Sequence, residues 1–182
     1  MKEINNYISE KLHISKDTKP FKYHPTDEDE LFTLLEKLVR ERGLNCDLND
    51  IDVSKITNMN SMFGSGILQQ VENIDISNWN VSNVTTMDGM FYCCKSFNCD
   101  LSKWDVSNVE NIHSMFFRCK KFNCDLSKWD VSNVRDMCGA FQECESLNCD
   151  LENWKIKKAC KMDDTFKECF RMKNKPSWYK QW

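Results

Sequence analysis

From residue 44 to residue 172 the apolar positions follow one order, and that order recurs every 25 residues. Trp79, Trp104, Trp129 and Trp154 mark the beat. Two copies are clearest, 100–124 (DLSKWDVSNVENIHSMFFRCKKFNC) and 125–149 (DLSKWDVSNVRDMCGAFQECESLNC). A fixed period of this size describes a stacked array in which each unit buries its apolar face against its neighbours. Within a unit two spacings alternate. The short piece 101–106 (LSKWDV) carries an aromatic and a β-branched residue and predicts a strand. After Ser107-Asn108 the apolar residues fall at Val109, Ile112, Met115/Phe116 and Cys119, which predicts two or three helical turns. The expected fold class is an α/β repeat solenoid, each coil of 25 residues being a short parallel strand plus a short helix, wound right-handed.

Five repeats begin near Cys46, Ile74, Cys99, Cys124 and Cys149. The first is longer, because Trp79 follows Ile51 by 28 residues, and a bulging loop within 64–72 is expected to absorb the difference. Ahead of the array, Pro25-Thr26-Asp27-Glu28-Asp29 opens a helix over 27–42, with Thr26 as cap, Leu31, Leu34, Leu35 and Leu38 on one face, and Gly43 as the stop. The exit Leu44-Asn45-Cys46-Asp47-Leu48 matches Phe122-Asn123-Cys124-Asp125-Leu126, so the helix stands where a preceding repeat would and serves as an N-terminal capping helix. The organisation is thus an arm and capping helix (1–43, with 1–24 a loose lead-in), the repeats (44–172) and a C-terminal tail (173–182).

Aligning the copies turns each position into a column. Ile51 shares a column with the four tryptophans, which argues for burial over an exposed glycan-binding ladder. Cys94, Cys119, Cys144 and Cys169 form one cysteine column, and Cys46, Cys99, Cys124 and Cys149 another in which Ile74 replaces a cysteine. Interchangeability with isoleucine favours reduced core thiols over disulfides or zinc. Asn83, Asn108 and Asn133 read as an internal ladder bonding the backbone of neighbouring coils. The column Asp47, Asp75, Asp100, Asp125 and Asp150 reads as turn-closing side chains, since the glycine-rich turns of calcium-binding rolls are missing. No metal or other cofactor is expected.

The formal net charge of −3 hides an asymmetry: residues 155–182 carry nine Lys/Arg against three Asp/Glu, and residues 27–154 eleven against twenty-two. The basic end reads as a solvated cap, with no nucleic-acid partner expected. The first residues lack an apolar signal core and no segment is apolar enough to span a membrane. With eleven cysteines, that points to a reducing, cytoplasmic location. His13, His24 and His113 are the only histidines, no phosphate loop or nucleophile motif occurs, and His113 is expected on a solvent-facing helix position, so an enzyme is not expected.

The phrase Ala140-Phe141-Gln142-Glu143-Cys144-Glu145-Ser146-Leu147 resembles the A-F-x-x-C-x-x-L core of BspA-like leucine-rich repeats. The variant Met115-Phe116-x-x-Cys119-x-x-Phe122, with W-D-V-S-N-V at 104–109 and 129–134, resembles the branch found in mycoplasma lipoproteins and bacterial surface proteins. The resemblance implies a leucine-rich-repeat-like curved solenoid used for adhesion or protein–protein interaction, and no catalytic residues. The expected function is a non-enzymatic scaffold for a protein partner. Its candidate recognition strip is the row Asn78, Lys103 and Lys128 beside the row Asn80, Asp105 and Asp130. The alternatives are a structural component joined through its ends, which would make a homo-oligomer, and a glycan-binding adhesin.

Overall fold

The computed structural model describes residues 21–179. Among them there is one α-helix, α1 (Glu28–Arg42), one 3-10 turn (Leu68–Gln70) and no strand. Parallel pairing is limited to isolated bridges, chiefly the run Asn58, Thr86, Asn111, Asp136 and Lys161. The expected α/β solenoid of strand-plus-helix, leucine-rich-repeat-like coils is therefore not formed. The expected strand 101–106 and the expected helix after Ser107-Asn108 are both chains of turns, and His113 lies on a turn.

The hydrogen bonds explain the difference. Each buried pair spaced three apart closes a turn: Trp104 N–H donates to Leu101 O, Val109 to Val106, Met115 to Ile112, Cys119 to Phe116 and Phe122 to Cys119. A string of i→i+3 turns buries residues at the offsets of a short helix, so periodicity cannot separate the two. Between 112 and 119 the donors alternate. Ile112, Ser114, Phe116 and Arg118 donate to the carbonyls of Asp136, Cys138, Ala140 and Gln142 in the next repeat, while Met115, Phe117 and Cys119 close local turns. A helix would keep all these bonds inside one segment, and an isolated helix this short is marginal. Bonding outward joins repeat to repeat. The geometry demands left-handed backbone at two points in each copy, seen at Ser114 (φ 49) and Arg118 (φ 59).

Side chains fill the space so enclosed. Phe63, Phe91, Phe116, Phe141 and Phe166 stack through the core with ring centroids 5.2, 5.5, 5.4 and 5.6 Å apart. Trp79, Trp104, Trp129 and Trp154 are each 4% exposed. Their indole N–H groups donate to Leu48, Ile76, Leu101 and Leu126 carbonyls of the preceding copy, at 2.9–3.1 Å. The tryptophan ladder has no open face to offer a sugar.

The helix starts one residue later than the expected cap. Asp27, not Thr26, accepts from Glu30 N–H at 2.9 Å, and the Glu30 carboxylate in turn accepts from Thr26 N–H and hydroxyl. Gly43 (φ 90) ends it by donating to Val39 O. Leu31, Leu35, Leu38 and Val39 are buried in the common core, so α1 covers the apolar face of the first copy. Of the expected loose arm 1–24, residues 1–20 lie outside the described residues. Tyr23, by contrast, pairs with Ile51. The expected bulge within 64–72 is tied down: Leu68 and Val71 are buried, and Gln69 Nε2 donates to the Gly64 and Tyr92 carbonyls.

Ser61, Gly89, Ser114, Gly139 and Asp164 share one left-handed column. A side chain there costs about 1–2 kcal/mol, against about 0.5–1 kcal/mol of extra chain entropy for glycine. Ser114→Gly should therefore raise stability by up to about 1 kcal/mol, and Gly139→Ala should lower it by about 1 kcal/mol. Urea midpoints at unchanged slope measure both, and opposite signs would refute the assignment of strain to this column.

Candidate interaction face

The six strip residues Asn78, Asn80, Lys103, Asp105, Lys128 and Asp130 are all exposed. Their side chains do different things. Asn80 accepts from Ser82 N–H and hydroxyl, Asp105 from Ser107 N–H at 3.1 Å and Asp130 from Ser132 N–H at 3.0 Å. These are turn-closing side chains first. Lys103 and Lys128 make no hydrogen bond or ion pair among the described residues, and their charges help to lower the nearby carboxyls of Asp75 and Asp100 and of Asp125. The Asn78 backbone N–H is taken by Asn49 Oδ1 at 2.9 Å, and its exposed side chain makes no hydrogen bond among the described residues.

The same closure recurs in the acidic column. Asp47, Asp75, Asp100, Asp125 and Asp150 each accept the N–H of the residue two positions on, at 2.8–3.0 Å. The carboxyls of Asp75, Asp100 and Asp125, and of Asp130 in the strip, are held below the usual range. For Asp75 the Asn49 side chain is the chief cause, for Asp100 and Asp130 the Ser102 and Ser132 hydroxyls, and for Asp125 the Ser127 N–H. Asn83, Asn108 and Asn133 bridge neighbouring copies, donating to the carbonyls of Ser54, Ser82 and Ser107 at 2.7–2.8 Å. They do so from an exposed rim.

All eleven cysteines are free thiols. Cys94, Cys119, Cys144 and Cys169 donate to the carbonyls of Phe63, Phe91, Phe116 and Phe141 at 2.9–3.1 Å. Burial pushes Cys119 and Cys144 well above the ordinary thiol value and Cys169 up to about 12. No group of His, Cys, Asp and Glu able to hold a metal ion is found among the described residues.

One row carries catalytic residue types. Asp88, His113, Cys138 and Asp163 occupy successive copies, with His113 Nδ1 3.0 Å from Asp88 Oδ1 and Cys138 Sγ 3.8 Å from Asp163 Oδ2. The order imitates a nucleophile, base and orienting acid, but the electrostatics oppose it. Partial burial, with the Asp136 carboxylate nearby, pushes the Cys138 thiol up to about 11 despite an opposing hydrogen bond from the Asp163 backbone, whereas a nucleophilic cysteine needs its thiolate favoured.

A second patch was not singled out by the sequence reading. Tyr92 and Phe117 stack with centroids 4.9 Å apart, and the Arg118 guanidinium lies 5.0 Å from the Phe117 ring. Arg118 also pairs with Glu143 at 2.8 Å and Lys120 with Glu145 at 2.6 Å. Gln69, Cys93 and Lys95 complete a shallow groove there. The sequence did carry a signal: the column runs Tyr92, Phe117, Gln142, Lys167, and a position that exchanges aromatic for charged residues meets solvent.

The sequence family described as "Mycoplasma protein of unknown function, DUF285" matches residues 30–68 and 65–179. The chain belongs to that family. No curated protein and no solved structure matches it. Among the described residues, no helix is long and apolar enough to cross a membrane.

Acid should dissolve the turn closures. A carboxylate whose folded pKa lies below its unfolded value, about 3.9, stabilises the fold fully above that value and loses the contribution as pH falls through the folded one. With Asp75, Asp100, Asp125 and Asp130 all shifted down, stability should be flat above about pH 5 and decline below about pH 4. Replacing all four by Asn should flatten that decline, as followed by thermal unfolding across pH. An equally steep decline in the variant would remove these carboxyls as its cause.

Proposed function

We propose that this chain is a non-enzymatic scaffold that binds a protein partner through the exposed rows Asn78, Lys103, Lys128 and Asn80, Asp105, Asp130. One observation carries the reading. The turn lattice engages most polar side chains of each copy, yet Lys103 and Lys128 recur in register, exposed and without a hydrogen bond or ion pair among the described residues. Ammonium groups presented one repeat apart suit acidic side chains at matching spacing on a partner surface. Asp105 and Asp130 hold their turns and so fix the backbone on which the lysines stand. The unfavourable environment of Cys138 supports a non-enzymatic reading.

We also read the A-F-x-x-C-x-x-L phrase at 140–147 as sequence kinship with BspA-like repeats within the mycoplasma-type family. The kinship supports an interaction role and makes no claim on the form of the coils.

Lys103→Glu with Lys128→Glu should leave the unfolding midpoint unchanged and reduce recovery of a near-stoichiometric partner by about tenfold, equivalent to about 1.4 kcal/mol of binding. The measurement is affinity capture of the tagged protein from its native cells under reducing conditions, with quantitative mass spectrometry. Equal recovery by variant and parent would reject the strip. Substituting Asp105 and Asp130 is a poor test, because it also breaks two turns.

A further inference from the structure

In each interior repeat the backbone N–H groups at four alternating positions are taken up by the repeat that follows. Met87, Gly89, Phe91 and Cys93 donate forward, then Ile112, Ser114, Phe116 and Arg118, then Met137, Gly139, Phe141 and Glu143. The corresponding groups in the last copy belong to Met162, Asp164, Phe166 and Glu168. None of the four has an acceptor among the described residues.

Their access differs. Phe166 is fully buried, packed against Trp178 and Tyr179 with centroids 5.8 and 5.1 Å away. Asp164 and Glu168 are exposed and Met162 is half-buried. Asp164 (φ 54) and Glu168 (φ 60) hold the left-handed conformation that Ser114 and Arg118 hold with an acceptor chain present. The edge is thus already set in its receiving geometry, which lowers the ordering cost of binding. An unpaired backbone edge is a template for an added chain. The last copy carries exposed Lys157, Lys158, Lys161, Lys167 and Arg171 against Asp163, Asp164 and Glu168. Lys157 bonds Asn133, Lys161 pairs with Asp136 and Lys167 with Asp164, all on the exposed surface, while Lys158 and Arg171 make no ion pair among the described residues.

We propose that this C-terminal edge docks an extended acidic segment of a partner polypeptide, whose carbonyls accept from the N–H groups of Met162, Asp164 and Glu168 and whose carboxylates pair with the lysines of the last copy. A second copy of the chain fits less well. At its opposite end α1 covers the apolar face of the first repeat and Tyr23 occupies the pairing position of Ile51, so that end cannot approach to one-repeat spacing. An extended segment brings no such bulk. The edge is separate from the Lys103 and Lys128 row, and the proposal stands or falls independently of it.

The test is amide exchange by NMR on the full chain, titrated with a synthetic peptide of alternating glutamate and threonine. Binding should saturate and weaken with salt, and exchange at Met162, Asp164 and Glu168 should slow about tenfold or more while Ser114 is unchanged. Lys158→Glu with Lys161→Glu should abolish both effects at an unchanged unfolding midpoint. If that variant unfolds, the parent titrated with an alternating lysine and threonine peptide, which should neither bind nor protect, takes its place. Absence of binding, or binding that leaves the three amides unprotected, overturns the proposal. So does equal binding of the lysine peptide. Protection of these amides that rises with protein concentration alone assigns the edge to a second copy and overturns it too.

Discussion

The structure depends on how each repeat divides its backbone donors between itself and its neighbour. Over 112–119, alternate N–H groups close local turns and reach forward to the next copy. Neither set suffices alone. Turns without neighbours would leave half the donors to water, and forward bonds without turns would leave the chain too extended to bury Ile112, Met115, Phe116 and Cys119 together. Since buried backbone groups must be paired, the repeats are stable only as a stack.

That division dictates the side-chain columns. Core carbonyls that already accept a turn N–H take a second, side-chain donor from the next copy, rim carbonyls take their own, and each class has a dedicated donor. Indole N–H groups serve the carbonyl at the start of the preceding copy's first turn, thiols serve the inner phenylalanine carbonyls, and asparagine amides serve the rim. In the last copy the Thr165 hydroxyl lies between Met162 O of its own turn, at 2.7 Å, and Met137 O of the preceding copy, at 3.0 Å. Cysteine suits its column because it is small, tolerates full burial and carries a weak donor. A Cys119→Ala change therefore loses more than volume: it leaves the Phe91 carbonyl, which accepts that thiol at 3.0 Å, without its side-chain donor.

How much of this was legible follows from what periodicity encodes. The 25-residue register, the α1 span, the buried tryptophans, the asparagine bridges and the turn-closing aspartates all rest on residue identity in columns, and identity is what a sequence displays. The strand and helix halves were misread because an i→i+3 chain of turns and a short helix place Val109, Ile112, Met115 and Cys119 alike on one face. The residues that would have told them apart are Ser114 and Arg118. Their left-handed backbone is imposed by bonds to the next repeat, and a non-glycine residue gives no local sign of it. Gly89 and Gly139, in the same column as Ser114, were the available hint. At the candidate face, exposure was legible from charge, but the bonds from Ser107 and Ser132 to Asp105 and Asp130 were not, since they depend on the turn type.

A lattice that assigns so many positions restricts where recognition can evolve. Side chains in the Trp, Cys and Asn columns change only at the expense of a bond to a neighbouring copy's carbonyl, and those in the Asp column at the expense of their own turn, so a partner-binding role would draw on columns whose residue types vary between copies. Three regions meet that condition. The Asn78, Lys103, Lys128 row varies in charge, the Tyr92, Phe117, Gln142, Lys167 column varies from aromatic to basic, and the last copy differs because its forward N–H groups find no acceptor among the described residues. The first two present side chains from a backbone whose donors are spent, whereas the third presents the backbone itself. A partner bound along the flank as proposed would be read by side-chain charge, which can be retuned one residue at a time. A segment bound at the end as proposed would be read by shape and register, which charge substitutions along the flank leave untouched.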